Sequence, residues 1–150
     1  MVCLGNICRS PVAEGILRSK LLSHDLDIEV DSCGTANYHI GAAPDPRMIQ
    51  VSKENGIDIS TFKARQFCLE DFNRFDVIYT MDKNNYNDVK ALAQSERDAR
   101  KIRMLLEENG QSKNKNVPDP YYGSLSDFRA VFSLLDEHMD LIVDKLNDKG

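Results

Sequence analysis

Residues Cys3-Leu4-Gly5-Asn6-Ile7-Cys8-Arg9-Ser10-Pro11 bring a thiol, a Gly-Asn pair, an arginine, a hydroxyl and a proline within nine positions. A thiolate is a strong nucleophile, and it is stabilised where positive charge and backbone N–H groups converge. The five residues between Cys3 and Arg9 can curl so that successive N–H groups point inward, with Gly5 and Asn6 supplying backbone angles that other residues resist. A planar guanidinium at Arg9 matches two oxygens of a phosphoryl group in a way that lysine cannot. The expected chemistry is attack by Cys3 on phosphorus held in an anion cradle.

Such an attack expels an oxygen leaving group that needs a proton, and a carboxylic acid on a loop can deliver it. Asp119-Pro120-Tyr121-Tyr122-Gly123 offers one. Pro120 stiffens the segment after Asp119, and the polar stretch Asn109 to Asn116 before it reads as an exposed loop. Taken singly, each part is ordinary: a cysteine is usually a small buried hydrophobe, Ser10 a helix cap, and Asp-Pro a turn.

The elements that must position these groups alternate between strand and helix. A first strand ends at Cys3, and a helix begins beside Ser10, with Pro11 at its first position and Glu14 in its first turn, and runs through Leu22. That places the positive end of a helix dipole against the cradle. Ile28 to Asp31 reads as a second strand, and Asp45-Pro46 starts a helix that runs to Asn55 and stops at Gly56. Asp76 to Met81 is the strongest strand by composition, Asp82 caps a helix with Tyr86, Val89, Lys90 and Ala93 spaced for one face, and Lys101 to Leu105 follows as a strand. A last helix from near Ser126 carries Phe128, Val131, Phe132, Leu135, Met139, Ile142 and Leu146 as a core stripe.

With those residues in view, the chain resembles the low-molecular-weight protein tyrosine phosphatases. The match runs through Val2 to Pro11, Asp31-Ser32, Gly34-Thr35, Pro44-Asp45-Pro46-Arg47, Ala64-Arg65-Gln66, Phe75-Asp76, Met81-Asp82 and Asp119 to Gly123, in family order over essentially the whole chain. The resemblance implies a three-layer α/β/α sandwich on a four-stranded parallel sheet of order 2-1-3-4, in one domain spanning 1–150. The Cys3 loop then lies at the topological switch point. It further implies Cys3 as nucleophile, Arg9 as phosphate clamp and Asp119 as acid, then base. Leu4, Gly5, Asn6, Ile7, Cys8 and Ser10 form the phosphate loop; Ser10 bonds the Cys3 sulfur and Asn6 pins the loop shape. Tyr38 and Tyr121 flank the substrate ring, with Tyr122 further out. Cys8 is expected to form a reversible disulfide with Cys3, while Cys33 and Cys68 pack in or near the core.

Two departures stand out. Family members carry several more hydrophobic residues before the Val-Cys pair, so with a start at Met1-Val2 either the sequence begins late or the first strand is shortened. Phe62 stands where the family often has a histidine linking the loop serine to an aspartate like Asp31, so that network is expected to be smaller or completed by water.

The function implied is hydrolysis of phosphotyrosine and small aryl phosphates through a cysteinyl-phosphate, without cofactor or metal. Arsenate reductase of the same fold is the nearest rival, but its further cysteines are missing from Phe75 to Asp82. Phosphoarginine hydrolysis is another alternative, opposed by Ile7 and the Tyr121-Tyr122 pair, and a phosphotyrosine-binding module without turnover is a third. With 41% hydrophobic residues the 150-residue chain should build a sizeable core, and a net charge of −5 argues against nucleic acid. No long apolar segment or secretory signal is seen, and the four cysteines lack zinc-pair spacing. The expected setting is a monomer in the reducing cytoplasm, away from membranes, that acts on phosphotyrosine proteins and opposes a bacterial tyrosine kinase. Phosphate, sulfate or vanadate are its expected competitive ligands.

Overall fold

A computed structural model describes residues 1–110 and 115–149. In chain order the elements are β1 (Val2–Cys3), α1 (Arg9–Ser23), β2 (Cys33–Gly34), α2 (Pro46–Glu54), α3 (Asp71–Arg74), β3 (Ile78–Thr80), α4 (Lys83–Leu92), α5 (Glu96–Lys101), β4 (Ile102–Met104), a 3-10 turn (Leu105–Asn109) and α6 (Leu125–Lys149). The four strands are parallel in the order β2-β1-β3-β4, with Val2 opposite both Cys33 and Thr80. The expected order therefore stands.

Alternation along the strands divides the core between the two faces of the sheet. Val2, Cys33, Ile78 and Ile102 pack with Phe67, Phe72 and Val89 toward α3 and α4. On the other face Cys3 joins Val12, Ile16, Met48, Val51, Phe128, Leu135 and Met139 from α1, α2 and α6. The α6 stripe is buried as its spacing requires, down to a half-buried Leu146. In α1 every residue from Arg9 to Leu17 is buried, so its first half is enclosed on all sides rather than amphipathic.

Several boundaries differ from the sequence reading, each for a physical reason. Ile28 to Asp31 is not a strand; β1 pairs only through Val2 and Cys3, so the second strand forms at Cys33–Gly34, where it has a partner. The strand expected at Asp76 to Met81 is confined to Ile78–Thr80, the stretch that pairs with β4 and, at Thr80, with β1. On α4, Asn85 rather than Lys90 shares the inward face with Val89. Helix α1 begins earlier than expected, with Cys8 as N-cap and Pro11 as third residue, a position that still needs no backbone N–H. Asp45 caps α2 as read, accepting from Arg47 N–H at 2.9 Å, and Gly56 takes the left-handed conformation (φ 78°) just past its end. The polar stretch from Asn109 begins in the 3-10 turn, and its residues 111–114 lie outside the described residues. Among the described residues no helix is long and apolar enough to cross a membrane.

Candidate active site

The loop from β1 to α1 is shaped by two residues that do different jobs. Asn6 takes the left-handed conformation with φ 58°, which asparagine tolerates better than most residues. Gly5 does not take it; a Cβ there would lie 3.0 Å from His39 Cδ2, so what glycine supplies here is room beside the His39 ring rather than a backbone angle. Gly34 of β2 backs the loop, where a Cβ would come within 2.7 Å of the Leu4 carbonyl oxygen.

Cys3 sits at the base. Its Sγ is 2.9 Å from Ser10 Oγ and accepts from Asn6 N–H at 3.3 Å, while α1 presents its N-terminal end from Arg9 onward. Ser10 Oγ, the Asn6 N–H and the N-terminal end of α1 thus all face the sulfur. Arg9 is buried, donating from Nη1 to Asp82 Oδ2 at 2.6 Å and to the Val117 carbonyl at 3.0 Å, with Nη2 3.6 Å from Asp119 Oδ2. Burial works against the guanidinium charge, but Cys3, Asp82 and Asp119 more than offset it and hold its pKa above the ordinary value.

These residues open onto one cavity of about 290 Å³, lined by Cys3, Leu4, Gly5, Ile7, Cys8, Arg9, Tyr38, His39, Asp119, Tyr121 and Tyr122. Every residue expected at the site lines it except Asn6 and Ser10, which are buried beneath the loop. Tyr121 and Tyr122 meet edge to face at 4.9 Å, with Tyr122 almost fully exposed at the rim. Burial pushes the Cys8 thiol well up, reinforced by Asp45 and Cys3. Cys33 is buried and pushed up to about 12, whereas Cys68 is exposed, contrary to the core position expected for it. Among the described residues no cluster of His, Cys, Asp and Glu is placed to hold a metal ion.

A family model described as low molecular weight phosphotyrosine protein phosphatase matches residues 1–150. The protein of that name from Dictyostelium discoideum is 42% identical over 149 residues, covering 88% of this chain and 83% of the relative. The chain belongs to the low molecular weight phosphotyrosine protein phosphatase family. A solved protein tyrosine phosphatase from Entamoeba histolytica superposes with a TM-score of 0.92 at 35% identity, over 99% of this chain and 95% of that one. Vibrio vulnificus Wzb, solved in complex with benzylphosphonate, superposes with a TM-score of 0.84 at 31% identity, over 96% of this chain and 94% of that one. Members of this cysteine-dependent family are protein-tyrosine-phosphatases, and the chain is an enzyme of that kind.

Within this phosphatase, three contributors go beyond the sequence reading. Asp82 was read as a cap and is one, accepting from Asn85 N–H through Oδ1 at 2.8 Å, but its Oδ2 also holds Arg9. His39 lies over Gly5 at the cavity wall. Arg47 ties the loop of Asp119 to α2: it pairs with Asp45 through Nε (3.0 Å) and Nη2 (2.9 Å), and donates to the Tyr121 and Gly123 carbonyls at 2.9 and 3.4 Å. Its guanidinium lies 4.4 Å from the Phe128 ring centroid. Asp45 in turn donates its N–H to the Ile7 carbonyl at 2.7 Å, so one Asp-Arg pair joins both loops of the cavity. The Arg47 hydrogen bonds hold the Asp45 carboxyl below its ordinary pKa.

The network expected to end on Asp31 takes another route. Asn6 donates to Ser10 and Ser32, and Ser32 donates to Glu14, while Asp31 is engaged by Arg65 and Arg74. Phe62 instead packs beside Arg18, 5.5 Å from guanidinium carbon to ring centroid. Arg47→Ala is expected to lower the midpoint of urea unfolding through its lost hydrogen bonds to Asp45, Tyr121 and Gly123. It should also lower kcat/KM about tenfold by loosening the Asp119 loop, as measured by steady-state hydrolysis.

Proposed function

We propose that this phosphatase hydrolyses phosphotyrosine in proteins, and small aryl phosphates, through a cysteinyl-phosphate on Cys3. The observation that carries the reading is convergence: a thiol at a helix N-terminus, a buried guanidinium and a carboxyl share one aromatic-walled cavity.

The Cys3 thiolate attacks phosphorus as the bond to the tyrosyl oxygen breaks, and Asp119, protonated for this step, gives its proton to that oxygen. Asp119 Oδ1 accepts from Tyr121 N–H at 3.1 Å, which aims the carboxyl along the cavity wall. Loop N–H groups and Arg9 spread the charge of the transferring group, and Arg9 exchanges its longer contact to Asp119 for phosphoryl oxygens. Asp119, now a carboxylate, takes a proton from water as that water attacks phosphorus, and the sulfur leaves as a thiolate supported by Ser10. Tyr38 and Tyr121 flank the aromatic ring, and Tyr122 stands at the rim. Benzylphosphonate in the related Wzb structure supports an aryl-bearing ligand for this cavity.

The arsenate reductase reading finds no support, because neither Cys33 nor Cys68 lines the cavity. Cys8 does line it, and its raised pKa keeps it a thiol while Cys3 does the chemistry. It is then the partner for an oxidised Cys3, whose sulfenic acid condenses with the Cys8 thiol to a disulfide and water. The setting that fits is the cytoplasm, with phosphotyrosine proteins and an opposing tyrosine kinase as partners.

Hydrolysis of p-nitrophenyl phosphate without added metal is expected to be competitively inhibited by phosphate and abolished in Cys3→Ser; an active Cys3→Ser enzyme removes Cys3 from the mechanism. Asp119→Ala should slow hydrolysis of a poorly leaving alkyl phosphate about 100-fold or more, with a much smaller loss for p-nitrophenyl phosphate, and equal losses would exclude the acid role. Cys8→Ser should leave peroxide inactivation fast but make recovery with dithiothreitol fail.

A further inference from the structure

Beneath the cradle, one hydrogen-bonded chain has every proton accounted for. Asn6 Oδ1 accepts from Arg65 N–H at 3.1 Å, which fixes the orientation of its amide. Its Nδ2 then donates to Ser10 Oγ at 2.8 Å and to Ser32 Oγ at 2.9 Å. Both amide hydrogens are spent, so each hydroxyl must send its own proton away from Asn6. Ser32 has Glu14 Oε1 at 2.6 Å; Ser10 has Cys3 Sγ at 2.9 Å and, longer, the Cys33 carbonyl at 3.3 Å. Asn6, Ser10, Ser32 and Glu14 are all buried, which leaves little room for water to substitute for a missing partner.

Glu14 closes the chain at the far end from the sulfur. The charged groups that face it are Arg18 on its own helix, with Nη2 2.8 Å from Oε2, the Met1 amino group and Asp31. Burial pushes its pKa up, aided by Asp31 and opposed by the Ser32 hydrogen bond, Arg18 and the amino group. Phe62, beside Arg18, brings no hydrogen-bonding side-chain atom to this end of the chain.

We propose that Glu14 is a positioning residue for the Cys3 nucleophile: by accepting the Ser32 proton it keeps Ser32 an acceptor for Asn6, and so commits the Ser10 proton to the Cys3 sulfur. Without that acceptor, Ser32 turns its proton toward the Asn6 amide and displaces it. Ser10, released from Asn6, then donates to the Cys33 carbonyl and accepts from the thiol S–H, an arrangement that favours the neutral thiol over the thiolate.

The sign of the effect separates this role from simple charge. Removing a negative charge near Cys3 should, by Coulomb interaction alone, make the thiolate easier to form. Loss of proton ordering should make it harder. Glu14→Leu decides between them, because it removes the charge and leaves the Ser32 proton no side-chain acceptor, whereas a glutamine could keep its oxygen on Ser32 and leave the half-exposed Arg18 to solvent.

The experiment is the pH profile of iodoacetamide alkylation at Cys3, followed on the Cys3 peptide by mass spectrometry. Glu14→Leu is expected to move the midpoint up by roughly half a unit, about threefold slower alkylation on the acid limb. Ser32→Ala removes the proton that would turn on Asn6 and leaves Asn6 its bond to Ser10, so it should keep the midpoint close to the parent's, and added to Glu14→Leu it should cancel most of that shift. A midpoint that falls or stays in Glu14→Leu, or a shift that persists in the double variant, overturns the proposal. Should Glu14→Leu fail to fold by its melting curve, Glu14→Ala is read in its place by the same criterion. The inference rests on Cys3 as nucleophile, but alkylation reads the sulfur itself, whereas the Cys3→Ser hydrolysis assay tests the reaction, so the two can fail separately.

Discussion

Asn6 holds a left-handed backbone conformation that costs a non-glycine residue on the order of 1 kcal/mol, and four hydrogen bonds keep it there. Its own N–H reaches the Cys3 sulfur, its amide nitrogen ties Ser10 and Ser32, and its amide oxygen takes the Arg65 N–H. The turn that this conformation makes is what lets the loop close over Cys3 and enter α1 at Arg9. The position of the Cys3 sulfur, the closure of the loop and the direction in which α1 leaves it all depend on that one local geometry. The chain commits long-range contacts to it, from Ser32 just before β2 and from Arg65 in the segment before α3.

A second constraint sets the acid loop against the cradle. Asp45 and Arg47, on and beside the first turn of α2, touch the carbonyls of Ile7, Tyr121 and Gly123. Arg47 also spreads over Phe128, a fully buried member of the α6 stripe, so the loop of Asp119 is referred to the core rather than left on its own. Such an arrangement holds Asp119 and Cys3 in one cavity with little freedom between the two loops that carry them.

What the sequence made legible was the chemistry that is local in the chain. Cys3 and Arg9 sit in one short motif, and Asp119 precedes a recognisable Pro-Tyr-Tyr-Gly run, so their convergence could be expected from residue types alone. Asp82, Arg47, Ser32 and Glu14 were harder, because each acts through a partner far away in sequence: Arg9 meets Asp82 across 73 positions and Arg47 meets Tyr121 across 74. Nothing local to Glu14 separates a buried chain terminus from an ordinary first-turn acid. The fold order was legible, since strands and helices alternate, but strand ends were not. Ile28 to Asp31 has strand composition and lacks a neighbour to pair with, and pairing, not composition, decides where a strand is counted. Gly5 was read for its backbone freedom and instead supplies room beside the His39 ring, a contact that no spacing rule foretells.

Helix α1 is enclosed on all sides from Arg9 to Leu17, and its first residues are also the end of the phosphate loop. A helix held that way cannot fray at its N-terminus as a surface helix does, because opening its first turn would uncover the centre of the molecule. The cradle therefore shares the cooperativity of the core. That loop is either whole or lost together with the native state, and its shape becomes a property of the folded ensemble as a unit rather than of a segment that samples open and closed forms.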